Sequence, residues 1–218
     1  MRVGVVVPVH GWAQYLAETL DGILGQDPAP GEVIVVDDGS PEPVQLHVDH
    51  APHCLLVRHD ERRGLAAARR TGVEALSGDT ELVALCDADD TWRPGKLAAQ
   101  LAALRAQRAA AACFACAEVV GPDGRFTREV WHDPPTTLPG LYEHNPIAVS
   151  GVLLRRAAVE RAGGIARNVP AAEDWDLWLR LLAAGEQLVY AADAVIAYRR
   201  HPGAMSGDVA TLARAQLE

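Results

Sequence analysis

The sequence has few aromatic residues, no long apolar run and no excess of positive charge. Aromatic residues make up 5% of the 218 residues, and the formal net charge is −9. A chain this acidic lacks the basic face that nucleic acids require, which argues against a nucleic-acid partner. No segment approaches the roughly 20 apolar residues of a membrane-spanning helix, and residues 1–9 lack the cleavage region of a secretory signal. We therefore expect a cytoplasmic protein without a membrane span.

The four cysteines do not complete a metal site. Cys113 and Cys116 form a CxxC pair, whereas Cys54 and Cys86 stand apart from it. A structural zinc site needs a second pair or a histidine cluster, and the sequence has neither. Because the CxxC pair lies in an Ala-rich apolar stretch, we expect buried free thiols.

The first half alternates short apolar runs with helical patterns. β-branched runs predict strands buried on both faces, and apolar residues at helical spacing predict helices between them. The predicted strands are 3–9, 32–36, 55–57 and 82–86, and the predicted helices are 12–24, 65–76 and 96–104. Strands that alternate with helices predict an α/β fold with a mostly parallel central sheet flanked by helices.

The second half has a different pattern. A strand at 111–120 runs into a turn at 121–124, which predicts a hairpin, and the prolines within 131–148 favour a loop over a helix. The remaining predicted elements are an extended segment at 151–154, helices at 157–162 and around 175–182, and strands within 188–198. Because no linker or repeat interrupts the chain, residues 1–218 are expected to form one domain.

Carboxylates follow two of the predicted strands at the point where each strand ends. Asp37 and Asp38 come after one strand, and Asp87, Asp89 and Asp90 come after another. In an open parallel sheet, ligands bind in the crevice beyond the carboxyl ends of the strands. Both acidic clusters are therefore candidates for a binding site at that edge.

The spacing of Asp87 and Asp89 indicates a cation site. In an extended segment, side chains two residues apart share a face, and the small Ala88 leaves room between them. Hard ions such as Mg²⁺ or Mn²⁺ prefer oxygen ligands and keep positions open for phosphates. The alternative is a simple acidic turn, which the position after a buried strand disfavours. For Asp37 and Asp38, an acidic turn and a nucleoside contact remain equal alternatives.

Motifs in a fixed order resemble the family 2 glycosyltransferases, which are inverting enzymes of the GT-A fold. The matching segments are VVVPVH at 5–10, IVVDDGS at 34–40, RGLAAAR at 63–69, LCDADD at 85–90, EDWDL at 173–177 and YRRH at 198–201. The resemblance implies one Rossmann-like GT-A domain, with a nucleotide-sugar-binding half to about residue 110 and an acceptor-binding half from about 111. It also implies transfer of a sugar from a nucleoside diphosphate donor, most commonly a UDP-sugar, with Mn²⁺ or Mg²⁺ as cofactor.

The resemblance implies roles for individual residues. The residues expected to contact the donor are Pro8, Val9, His10, Asp37 or Asp38, Arg69, Asp87 and Ala88. The residues expected to ligate the cation are Asp87, Asp89 and His201.

Asp174 is the candidate general base that the resemblance implies. An inverting displacement needs a carboxylate to take the proton of the acceptor hydroxyl. Since Asp174 is expected in the first turn of a helix, the helix macrodipole is expected to lower its pKa and make it a modest base. The alternative is an acid that serves only the helix terminus.

The sequence departs from the family pattern in two places, and other functions remain open. His10-Gly11 stands where an aromatic residue and Asn are common, and Arg70 stands where Asn is usual. A nucleotidyltransferase would need a Gly- and Arg-rich loop directly after the first strand, and a non-catalytic nucleotide-sugar-binding protein is the other alternative. The short second half favours a small-molecule, lipid-linked or envelope-precursor acceptor over polymer synthesis.

Overall fold

The fold is described by a computed structural model over residues 1–11, 13–133, 136–166 and 172–204. Its strands β1 to β9 span Val3–Val9, Glu32–Asp37, Cys54–Arg58, Leu82–Leu85, Thr91–Trp92, Ala110–Val120, Phe126–Trp131, Val152–Arg155 and Gln187–Arg199. Its helices α1 to α6 span Leu16–Leu24, Leu65–Ala75, Lys96–Ala106, Leu138–Glu143, Arg156–Arg161 and Glu173–Ala183.

All the strands of the described residues belong to one nine-stranded sheet with helices on both faces. The strand order is β3-β2-β1-β4-β8-β6-β9-β5, and β7 pairs with β6 outside this path. Alternate residues of β1 face opposite sides, because side chains in a strand alternate. Val5 packs in the cluster that contains Leu20 of α1 and Leu101 of α3, whereas Val6 packs with Ala68 of α2. This two-sided burial explains the continuous β-branched run in β1.

The sheet is mixed, so the prediction of a mostly parallel sheet is correct only for its first half. Strands β1, β2, β3 and β4 run parallel to one another. Strand β8 is antiparallel to both β4 and β6, and β7 is antiparallel to β6 through the predicted hairpin. Strand β5 is antiparallel to β9, whereas β6 and β9 pair in parallel. The apolar pattern predicted most of the strands, not the two-residue β5, and outside the hairpin it contained no information on strand direction.

A short helix, α4, replaces part of the loop predicted for residues 131–148. Pro139 lies in the first turn of α4, where a missing backbone N–H leaves no hydrogen bond unmade. Leu141 of the same helix is fully buried. The prolines therefore mark the start of a helix rather than exclude one. Pro134, Pro135 and Trp12 lie outside the described residues.

Two further sequence predictions concern membranes and thiols. In the part of the chain that the structure describes, no helix has both the length and the apolar character needed to cross a bilayer. Cys113 and Cys116 are buried and free, which confirms the expected thiols.

Gly72 allows α2 to approach β1 closely, and this contact gives a test of the fold. A Cβ atom at Gly72 would overlap with Cγ1 of Val6. We expect Gly72→Ala to lower the free energy of unfolding by about 1–3 kcal/mol, because overpacking outweighs the better helix propensity of alanine. Urea unfolding measures the change. Gly78→Ala is the control, since no atom lies within 4 Å of its added Cβ; equal values for both variants would contradict the prediction.

Candidate active site

A cavity of ≈ 710 Å³ opens beside the carboxyl ends of β1 and β4. Most of the predicted site residues line it, namely Pro8, Val9, His10, Asp38, Arg69, Asp87, Ala88, Asp89, Asp174 and His201. Asp37 is not among the lining residues. The parallel strands thus bring together side chains that are far apart in the sequence. This agrees with the expectation that ligands bind beyond the carboxyl ends of the strands in an open sheet.

Asp89 and His201 meet at the cavity wall. Nε2 of His201 lies 2.9 Å from Oδ2 of Asp89, and the backbone N–H of Gly203 donates to Nδ1 of His201 at 3.2 Å. Because a backbone N–H can only donate, Nδ1 is the acceptor, and a proton on the neutral ring sits on Nε2 facing Asp89. Burial and the nearby Asp87 carboxylate raise the pKa of Asp89, and His201 offsets part of that rise.

Asp89 and His201 are close enough to bind one divalent cation together, once the proton that lies between Nε2 of His201 and Asp89 has been displaced. Ligands at adjacent corners of an octahedral Mg²⁺ site lie about 3 Å apart, which matches the 2.9 Å between Oδ2 and Nε2. Among the described residues, no group of three or more His, Cys, Asp or Glu side chains is arranged to hold an ion. Asp89 and His201 would supply two ligands to a cation, and Mg²⁺ usually takes several of its remaining ligands from water and substrate phosphates.

Asp90 is linked through Ser150 to the backbone of the acidic triplet, which comprises Asp87, Ala88 and Asp89. Its Oδ2 accepts a hydrogen bond from Oγ of Ser150 at 2.5 Å, and its Oδ1 accepts from the backbone N–H of Arg199 at 2.8 Å. Oγ of Ser150 also accepts from the backbone N–H of Asp87 at 2.9 Å. Asp90 is 1% exposed, so its carboxylate serves the protein interior rather than the cavity.

Arg69 links the acidic triplet to helix α6. Its Nη2 donates to Oδ1 of Asp87, and its Nη1 donates to Oε1 of Glu173. The Arg69 side chain is 3% exposed and that of Glu173 is 2% exposed, so both charges are held inside the protein.

Asp174, the residue after Glu173, is half-buried at the cavity wall. Nδ2 of Asn145 donates to its Oδ2 at 3.1 Å. Burial raises the pKa of Asp174 to about 6; Arg69 opposes the rise and Glu173 adds to it. The expectation of a lowered pKa is therefore wrong, because loss of solvent outweighs the helix macrodipole.

Comparison with known proteins assigns this arrangement to a family. The family model described as "Glycosyl transferase family 2" matches residues 4–161. The chain belongs to glycosyl transferase family 2.

The chain is 32% identical over 213 residues to the pre-mycofactocin glycosyltransferase of Mycobacterium tuberculosis, covering 90% of this chain and 42% of that protein. It is 28% identical over 191 residues to the putative teichuronic acid biosynthesis glycosyltransferase TuaG of Bacillus subtilis, covering 84% of this chain and 73% of TuaG. The chain thus spans less than half the length of the mycobacterial relative.

Solved structures share the fold of this family 2 chain. The structure of S. aureus TarS 1-349 in complex with UDP-GlcNAc superimposes with a TM-score of 0.74 at 20% identity, covering 96% of this chain and 61% of that chain. The structure of TarS 1-349 alone gives a TM-score of 0.70 at 20% identity and covers 91% of this chain and 60% of that chain. The predicted GT-A fold is confirmed, with the mixed sheet described above.

The two carboxylates after β2 of this family 2 domain differ in position. Asp37 is fully buried and accepts from the backbone N–H groups of Ser40 and Val44 and from Arg58. Burial would raise the pKa of Asp37, but these hydrogen bonds outweigh it and lower the pKa. Asp37 therefore organises the acidic turn.

Asp38 reaches the cavity wall and holds a loop there. Its Oδ1 accepts from Nδ1 of His59 at 2.7 Å and from the backbone N–H of Arg63 at 2.9 Å, and its Oδ2 accepts from the backbone N–H of Gly64 at 2.8 Å. Nε2 of His59 lies 2.9 Å from Oγ1 of Thr71. Asp38 is thus the better placed of the two for a nucleoside contact.

Sequence reasoning missed several residues that shape the site. His59 directly follows β3, so the expectation that site residues follow the carboxyl ends of parallel strands would have found it. Ser150 and Asn145 carry no signal of this kind, because neither follows a strand: Asn145 lies in an irregular segment and Ser150 in a single turn of 3₁₀ helix just before β8. Their roles depend on which loops the sheet brings together.

Aromatic rings form the cavity wall on the side of the hairpin β6–β7. The rings of Trp131 and Tyr198 lie 4.7 Å apart between centroids, and both residues line the cavity. Nε1 of Trp131 donates to Glu129 at 2.8 Å, and Glu129 also accepts two hydrogen bonds from Arg200. The Trp131 ring is therefore held in a defined orientation.

The raised pKa of Asp174 predicts that this residue lowers stability. The pKa is about 6 in the folded protein and lies above the model-peptide value of 3.8, so the folded state binds more protons between these values and stability falls as pH rises through them. Asp174→Asn should therefore melt at a higher temperature than the wild type at pH 7.5, and the difference should vanish near pH 4. Thermal melts at both pH values measure it.

Asp176→Asn is the matched control on the same helix. Asp176 accepts from Arg180 at 2.6 and 2.8 Å, so its removal deletes a favourable pair. If Asp174→Asn is no more stable at pH 7.5 than Asp176→Asn, ionised Asp174 does not destabilise the folded protein and the prediction fails.

Proposed function

We propose that the chain is an inverting glycosyltransferase that moves a sugar from a nucleoside diphosphate donor to an acceptor hydroxyl. The observation that carries the proposal is that Asp174 lines the same cavity as Asp87 and Asp89. A half-buried carboxylate with a pKa of about 6 is ionised at neutral pH and is a stronger base than an ordinary aspartate. Family membership supports the same reaction class.

The reaction is a single displacement at the anomeric carbon. The acceptor oxygen forms a bond to that carbon while Asp174 takes the hydroxyl proton. The bond from the anomeric carbon to the phosphate oxygen breaks, and the nucleoside diphosphate leaves with the electron pair. Holding both substrates in one cavity supplies the alignment that such a displacement needs. A bound Mn²⁺ or Mg²⁺ would stabilise the negative charge of the leaving diphosphate.

The donor side is formed by residues from β1, β2 and the acidic triplet. Asp38, His10, Asp89 and His201 line the same cavity. We assign Asp38 and His10 to the nucleoside, and Asp89 and His201 to the cation. We propose a UDP-sugar as the donor, because a related fold, that of TarS, has been solved with UDP-GlcNAc. A nucleotidyltransferase is disfavoured, since His10-Gly11 follows β1 in place of a Gly- and Arg-rich phosphate loop.

The acceptor side supports a sugar-bearing small molecule, lipid-linked precursor or envelope precursor. The fixed rings of Trp131 and Tyr198 provide flat apolar faces against which the C–H face of a pyranose packs. The relative TuaG is named for teichuronic acid biosynthesis, which is consistent with an envelope-precursor acceptor.

Donor binding should depend on a divalent cation. We expect UDP, at a hundred times its Kd, to raise the melting temperature by about 5–10 °C with Mn²⁺ or Mg²⁺ and not with EDTA. Asp89→Ala should lose this shift, because it removes a cation ligand, whereas Asp79→Ala at an exposed surface position should keep it. Stabilisation that EDTA leaves unchanged would contradict the metal role. Undiminished binding by Asp89→Ala would contradict the assigned ligand.

Transfer should depend on ionised Asp174. Asp174→Asn should keep the UDP-induced thermal shift and lose transfer by about 10²–10⁴-fold, the usual contribution of a general base. In the wild type, kcat/KM should fall below pH 6, because protonation of Asp174 removes the base. A nucleotide-sugar and acceptor screen with release of UDP as readout measures both. An active Asp174→Asn variant would move the base elsewhere, and binding without turnover would favour a non-catalytic binding protein.

A further inference from the structure

A buried guanidinium stands between the two halves of the site. Arg69 donates with Nη2 to Asp87 and with Nη1 to Glu173, and Glu173 directly precedes Asp174. Nε of Arg69 is buried and has no hydrogen-bond partner among the described residues. Both strong contacts of this side chain are therefore carboxylates, one beside the candidate cation site and one in the first turn of α6.

We propose that Arg69 is a positioning residue that couples the acidic triplet to α6, so that ligand binding at Asp87 and the placement of Asp174 depend on each other. The proposal rests on the proposed function for its ligand, a nucleoside diphosphate with a divalent cation. The bridge itself is a property of the folded chain.

The two partners of Arg69 differ in their access to ligands. The Asp87 side chain is 30% exposed and faces the cavity, whereas the Glu173 side chain is 2% exposed. A cation that approaches Asp87 competes with Arg69 for the carboxylate, because both are positive and attract the same oxygens. The guanidinium then interacts more strongly with Glu173. Coupling of this kind is reciprocal, so a change at Glu173 must alter cation binding at Asp87.

The charges around Asp174 add a second consequence. Arg69 lowers the pKa of Asp174, whereas Glu173 and Asp87 raise it. Asn145 contacts Asp174 as a neutral donor, and His144 lines the same cavity. Glu173→Gln removes one charge from this set and leaves the shape of the side chain nearly unchanged, so the pKa of Asp174 should fall.

The first experiment measures binding of UDP with Mn²⁺ by calorimetry. In Glu173→Gln, Arg69 keeps its hydrogen bond to the Asp87 carboxylate and loses its ion pair with Glu173, so it holds Asp87 more firmly. Affinity should fall about fivefold or more, a typical strength of coupling between sites. The acidic limb of kcat/KM should also move to lower pH. Asp176→Asn, which removes an Arg180 partner from the same helix, should change neither. Equal binding by Glu173→Gln and Asp176→Asn would overturn the proposal.

The second experiment needs no nucleotide. Asp87→Asn, Glu173→Gln and the double variant form a cycle in urea unfolding. Each single variant leaves Arg69 one of its two ion pairs with a hydrogen-bonded carboxylate, whereas the double variant removes both and leaves only the weaker interaction with Asp174. The double change should therefore raise the unfolding equilibrium constant roughly tenfold more than the product of the two single effects. Additive effects would overturn the proposal. If the wild type binds no nucleoside diphosphate, the proposed function fails. The urea-unfolding cycle then tests by itself whether Arg69 couples Asp87 to Glu173.

Arg69→Lys separates charge from geometry. Lysine keeps the positive charge but lacks the planar fork that reaches two carboxylates at once. We expect this variant to fold, as judged by circular dichroism, and to lose at least about tenfold in kcat/KM, since a remote misplacement is costly for an aligned displacement. Wild-type kcat/KM in Arg69→Lys would show that charge alone suffices and would overturn the bridging role.

Discussion

Repulsion among carboxylates gathered at one edge of the sheet is the constraint on which the rest of the site depends. Parallel strands that end together bring their following side chains together, and several of these are acidic. Asp37 is neutralised by Arg58, whereas Asp87 and Glu173 share Arg69. Burial makes such pairing obligatory, because an unpaired charge inside the protein is strongly destabilising. The basic residues near the cavity are therefore structural requirements of the acidic site.

The two carboxylates that the proposed reaction needs face weaker partners than the arginines that hold Asp37 and Asp87. Asp89 faces a histidine, and Asp174 faces the neutral amide of Asn145. Both have raised pKa values, because burial disfavours their charged forms. A carboxylate in this condition gains by binding a cation or a proton, which are the two tasks proposed for Asp89 and Asp174. The partners of each aspartate thus decide its role: those paired with arginine stabilise the fold, and Asp89 and Asp174 are left for binding and proton transfer.

Sequence patterns predicted the parts of the fold that depend on local burial. The β-branched run of β1 and the helix face around Trp178 were recognisable, because both sit against a core that their own periodicity matches. The antiparallel pairing of β8 with β4 and β6 was not, since side-chain alternation is the same for either direction. Helix α4 was missed because Pro139 reads as a helix breaker unless its place in the first turn is known.

By itself, the sequence determined which residues follow the strands and hence which carboxylates reach one edge of the sheet. Asp87, Asp89 and the candidate base Asp174 could be chosen from that pattern and from the family resemblance. Only the tertiary structure decided the burial, the hydrogen-bond partners and the pKa of each carboxylate. Arg69 is 18 residues from Asp87 and 104 from Glu173 along the chain, so no local pattern contains the bridge. The pKa of Asp174 was misjudged for the same reason, since burial comes from residues remote in sequence and outweighs the local helix field.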